Sequence, residues 1–92
     1  MRVYKYVLHF QPEQYVTMPA GAEILTVRLQ HDRFVMWALV DPEGLPEGRR
    51  ILCVVTGEDF MLEKYLQVEH IGTVPQVDGN FIWHFFEADP PR

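Results

Sequence analysis

The 92-residue chain contains no serine and only one cysteine. Without serine, every hydrolase built on a serine nucleophile is excluded. A lone Cys53 rules out an internal disulfide framework and suits a reducing compartment. Long apolar runs are also missing. The longest, residues 34–40, covers seven positions, against about 20 for a membrane-spanning helix. Residues 1–10 carry Arg2 and Lys5 without a continuous apolar stretch, so no signal peptide is expected. Phosphate-cradling glycine loops of the Gly-x-x-x-x-Gly-Lys or Gly-x-Gly-x-x-Gly kind are absent. Positive charge is scarce: eight Lys and Arg face 13 Asp and Glu, for a net charge of −5. That balance argues against a general DNA or RNA binder, which needs a basic face for phosphates.

What remains is ordinary globular material, 48% hydrophobic and 23% charged. The length allows a single domain, expected over residues 1–88, with 89–92 (Asp-Pro-Pro-Arg) as a frayed tail. Proline and glycine punctuate the chain at short intervals, and β-type segments lie between them. Strands are expected at 3–9, 15–18, 23–30, 34–40, 51–56, 67–74 and 81–87. In 23–30 the alternation is strict, with Leu25, Val27 and Leu29 on one side and Thr26, Arg28 and Gln30 on the other. Met18-Pro19-Ala20-Gly21 reads as a turn, His31-Asp32-Arg33 as a hairpin tip and Val77-Asp78-Gly79-Asn80 as a second hairpin turn. Residues 41–48 read as a loop, and 58–66 leave room for one or two helical turns. The expected fold is all-β with at most one short helix: a small antiparallel sandwich or open barrel of six or seven strands.

Three of these segments, 34–40, 51–55 and 81–86, are apolar on both faces apart from His84. An antiparallel sheet normally turns one face to water. Either the 58–66 segment and the long loop cover the second face, or another copy of the chain does, and a homo-oligomer is the expectation.

Chemistry is thinly represented. His9, His31, His70 and His84 show no metal-clip spacing, so neither metal nor cofactor is expected. Cys53 lies mid-strand, where cysteine is usually a small buried hydrophobe. His84 interrupts an apolar strand beside Trp83 and is the residue on which a small hydrolase would depend. Four arginines, Arg28, Arg33, Arg49 and Arg50, occupy the middle of the chain. If their hairpins adjoin, they form a local basic patch for a small phosphate-bearing ligand. Trp37 or Trp83 would stack on a base, and Thr56-Gly57 would offer a hydroxyl and backbone amides. The candidate ligand-binding set is therefore Arg28, Arg33, Trp37, Arg49, Arg50, Thr56, Gly57, Trp83 and His84. Edge-strand protection by charge is the plainer reading of the same arginines.

Several stretches carry a resemblance across most of the chain: Tyr4-Lys5-Tyr6, residues 18–27, Trp37 to Pro42, Thr56-Gly57, Ile71 to Val74 and Trp83 to Glu87. In this order they resemble a family of uncharacterised small phage and prophage proteins, known only as a domain of unknown function. Similar proteins have a histidine-proline stretch after Thr-Gly, where this chain has Glu58-Asp59-Phe60-Met61. The resemblance implies a phage accessory product in the host bacterial cytoplasm, acting against host defence. Two modes are expected: sequestering a nucleotide-like signal, or blocking a host defence protein through an acidic surface that includes Glu58, Asp59, Glu63 and Glu69.

Overall fold

Turn chemistry and alternation produce seven strands and one 3-10 turn. The computed structural model describes residues 1–76 and 78–91. The strands are β1 (Arg2–Val7), β2 (Glu13–Pro19), β3 (Glu23–Gln30), β4 (Arg33–Val40), β5 (Pro46–Val55), β6 (Val68–Pro75) and β7 (Ile82–Ala88). They form two antiparallel sheets, β1-β4-β3 and β2-β5-β7-β6, stacked as a sandwich and not closed into a barrel. Among the described residues no helix is long and apolar enough to cross a membrane.

The β3–β4 hairpin closes tightly because His31 and Asp32 both adopt positive φ, 50° and 63°. Two consecutive left-handed residues give the turn that matches strand twist. Gln30 then pairs directly with Arg33, so Arg33 belongs to β4 and not to the tip. Gly21 supplies a φ of 80° in the turn between β2 and β3, a conformation glycine adopts without a Cβ clash. At the second hairpin, Asn80 N donates to Asp78 Oδ1 at 3.0 Å, while Val77 lies outside the described residues.

Three more expectations change in the structure. Strict alternation in β3 is interrupted by a bulge between Ile24 and Thr26. The extra residue, Leu25, is exposed, whereas Ile24 turns inward with Val27 and Leu29. A bulge shifts the period-two phase, which is why one side of the strand does not carry all three alternating residues. The loop predicted through residue 48 ends sooner, since Pro46 pairs with Pro19 and Gly48 with Thr17. Proline is tolerated there because β7 pairs β5 only from Arg50 onward. Finally, Asp89 is tied down: its Oδ1 accepts from Leu66 N at 2.8 Å and Gln67 N at 2.9 Å. Arg92, the last residue of the expected tail, lies outside the described residues.

The core fills the space between the sheets. Met36, Ala38 and Val40 of β4 meet Met18 of β2, Ile51 of β5 and Phe85 of β7, with Val27 of β3 and Val74 of β6 alongside. The outer face of the larger sheet is partly covered by the chain itself. The connection from β5 to β6 must pass over β7, and Phe60 packs on Phe86 at 4.8 Å between ring centroids. Leu52, which shares that face, is buried. Among the described residues no connection packs over the smaller sheet in this way, and Val3, Val7 and Leu25 are exposed.

Cys53 sits on the inner side of β5, and burial, with the nearby Glu58 charge, pushes its thiol up to about 11 from 9.0. The folded state therefore favours the neutral thiol. Its contribution to stability is fully present below pH 9 and is lost as pH rises through 11. Urea unfolding between pH 8 and 11 is expected to show a steeper alkaline decline for the native chain than for Cys53→Ala.

Candidate functional site

The uncovered face of the smaller sheet gathers three of the predicted ligand residues. Register sets Lys5, Trp37 and Thr26 in one row across β1, β4 and β3, and Val7, Val35 and Arg28 in the next. Two-residue periodicity puts these rows and Arg33 on the same face. Lys5 Nζ donates to Gln30 Oε1 at 3.3 Å, so the ammonium reaches across the sheet above β4. Trp37 is partly buried by its row neighbours, while Arg28 and Arg33 are exposed. Among the described residues, no carboxylate lies within 4.0 Å of Lys5, Arg28 or Arg33. These cations remain available to an incoming anion. Lys5 was not singled out from sequence. Its only signal is alternation in β1, and pairing with β4 is what sets it beside Trp37.

Arg49 and Arg50 are placed elsewhere, on opposite faces of β5. Arg49 points inward and is 6% exposed, and Glu87 is 3% exposed. Its Nε and Nη2 both donate to Glu87, the latter at 3.0 Å, and Nη1 donates to the carbonyl of Ala22 at 2.8 Å. The bond to Glu87 holds the guanidinium above its usual pKa. This fork is filled, and it ties β5 to β7 and to the turn between the sheets. Arg50 faces outward. Its Nε lies 2.7 Å from Glu13 and donates to Tyr15 Oη at 2.9 Å, and Asp89 stands 3.9 Å from Nη1. The guanidinium also lies over the rings of Tyr15 and Tyr65, at 5.3 and 5.5 Å. Neither arginine adjoins Arg28 or Arg33.

Thr56, Gly57 and His84 meet on the outer face of the larger sheet. His84 Nε2 is 2.7 Å from Thr56 Oγ1, and Nδ1 is 3.1 Å from Thr73 Oγ1. Thr73 Oγ1 in turn lies 2.8 Å from His70 Nε2. The Thr73 hydroxyl thus bridges two rings, donating its one proton to a ring nitrogen of one and accepting a ring N–H from the other. Gly57, at φ 92°, turns the chain away at the end of this row. Among the described residues no carboxylate bonds either histidine, and no cluster of three or more His, Cys, Asp or Glu is positioned to hold a metal. Thr73 and His70 had no sequence signal, because the bulge between His70 and Gly72 decides which side of β6 they share. Trp83, next to His84 in sequence, faces the other way into a cluster with Phe10, Phe34 and Phe81.

Comparison with protein-family models matches residues 1–92 to a domain of unknown function (DUF7352). The chain belongs to that family. No curated protein and no solved structure matches it.

Proposed function

We propose that this member of the DUF7352 family is a non-enzymatic binding protein that sequesters a small anionic, nucleotide-like ligand on the outer face of the β1-β4-β3 sheet. One observation carries the reading. On a chain of net charge −5, the cations Lys5, Arg28 and Arg33 stand free of carboxylates on the face that bears Trp37. Phosphate oxygens would meet Lys5 and Arg28, with Arg33 at the hairpin end, and Trp37 would stack on a base. A flat sheet encloses little by itself. A second copy laid over the same face would bury the exposed Val3, Val7 and Leu25 and surround the ligand from both sides. The resemblance to phage and prophage proteins supplies the context: an accessory product that removes a nucleotide signal of host defence in the bacterial cytoplasm.

The test is titration of the purified chain with cyclic dinucleotides and ADP-ribose derivatives, read by native mass spectrometry and Trp37 fluorescence. Lys5→Ala and Arg28→Ala are each expected to weaken binding about tenfold or more, as loss of a charge-assisted bond implies. Arg50→Ala, whose partners are internal, is expected to leave affinity unchanged. Equal loss from all three variants, or none from the first two, would remove the ligand from this face.

A second reading rests on the β5–β6 connection. Met61, Leu62 and Leu66 are exposed there among Glu58, Asp59 and Glu63. This acidic, greasy segment suits a basic site on a host defence protein. Charge reversal at Glu58, Asp59 and Glu63 would abolish that interaction and spare nucleotide binding.

A further inference from the structure

Beside the aromatic cluster, a cavity of about 190 Å³ opens between the β1–β2 connection and the end of β5, and shares no residue with the basic face. Phe10 and Trp83 both line it and meet each other edge to face, with ring centroids 4.8 Å apart and an interplanar angle of 79°. Glu58 lies at its margin, and Cys53 and Val55 complete the β5 side. We infer that this cavity binds an alkylated ammonium group, with the aromatic rings of Phe10 and Trp83 and the carboxylate of Glu58 as its recognition elements.

Three observations support a built site over an accidental dent. Trp83 is fixed by its strand, paired with Val55 on one side and Val74 on the other. Phe10 is 66% exposed, yet the connection that carries it is clamped. The buried amide of Gln14 accepts from His9 N at 3.0 Å and donates to His9 O at 2.8 Å, and Cys53 N donates to Pro12 O at 2.9 Å. An exposed aromatic ring on a clamped connection is held ready for contact. Phe81 stacks on Trp83 at 6.0 Å and 30°, extending the aromatic surface past the cavity.

Charge and polarity select the ligand. Among the described lining residues there is no basic side chain, and the Cys53 thiol stays neutral at physiological pH, so Glu58 alone supplies charge. Aromatic faces attract cations through their quadrupoles. A bare ammonium would have to give up strong hydrogen bonds to water, and few acceptors here replace them. An ammonium bearing methyl groups loses less on entry and fills the aromatic corner with apolar surface.

The test compares choline with 3,3-dimethylbutan-1-ol, a neutral compound of nearly the same shape, on the full chain. The readout is the indole N–H resonance of Trp83, assigned with Trp37→Phe. Choline is expected to move the Trp83 signal with a dissociation constant of about 1–10 mM and to leave the Trp37 signal in place. The neutral compound is expected to bind about tenfold more weakly, and Glu58→Gln and Phe10→Ala to weaken choline about three- to tenfold each. Glu58 is exposed, so its substitution leaves the core intact. Equal binding of the neutral compound would overturn the inference. So would an unmoved Trp83 signal, at about 100 mM choline, in chains whose spectra remain dispersed and native.

Discussion

Replacing Glu87 with alanine is expected to remove about 3–5 kcal/mol of folding stability, the cost of leaving one member of a buried ion pair alone. Glu87 and Arg49 lie inside the sandwich, and the carboxylate receives both Nε and Nη2 of the guanidinium. Without it, Arg49 stays beneath the sheet with the Ala22 carbonyl, Glu47 at 3.8 Å and the charge of Glu69 to compensate its own. A domain of this size has about 5–15 kcal/mol in total, so the variant is poised near unfolding at 37 °C. The same physics makes a contrasting prediction for the pair. Arg49→Met combined with Glu87→Leu replaces both charges by apolar bulk, and its urea midpoint is expected within about 1–2 kcal/mol of the native chain. Loss below about 1 kcal/mol in the single variant would mean that water reaches the pair and that Arg49 is available after all.

Phe85→Ala is expected to be comparably damaging, at about 3–5 kcal/mol, because truncating a large core side chain loses transfer energy and leaves a cavity. Phe85 is fully buried, and its ring meets Phe34 edge-on at 5.0 Å and 62°. Phe34 belongs to the smaller sheet and Phe85 to the larger, so this contact joins the layers. In a double-mutant cycle with Phe34→Leu, the pair is expected to couple by about 0.5–1.5 kcal/mol. Urea denaturation at constant pH measures both. A change confined to the midpoint would confirm loss of packing, whereas a collapse of the slope would point to a loosened native state.

Much of this architecture was legible because turns and strands announce themselves locally. The turn ending at Gly21, a tight hairpin beginning at His31 and the presence of strands on either side needed no tertiary information, although the tip is one residue shorter than His31-Asp32-Arg33. What sequence could not supply is which strands become neighbours. Arg49 and Arg50 read alike as free cations entering a strand. Pairing of β5 with β2 and β7 sends the first inward to Glu87 and the second outward to Glu13. Lys5 gained its place beside Trp37 by the reverse route, through the pairing of β1 with β4. Bulges are similarly silent. The one near Leu25 exposes a residue that alternation assigned to the same side as Val27, and the one near Ile71 brings His70 and Thr73 onto the side of His84. The apolar character of β4 on both faces was visible from the start, and the structure divides it: Met36, Ala38 and Val40 turn into the core, while Trp37 turns to the uncovered face.

The central claim is that the free cations around Trp37 hold an anionic ligand, and Lys5 and Arg28 decide it. The most direct measurement is the equilibrium affinity of the native chain and the Lys5→Ala/Arg28→Ala double variant for cyclic dinucleotides and ADP-ribose derivatives, with unfolding midpoints measured in parallel. A loss of about a hundredfold or more in affinity is expected, with a stability change within about 0.5 kcal/mol, because both side chains are exposed and no carboxylate among the described residues pairs with them. Retained affinity in a stably folded double variant would contradict it.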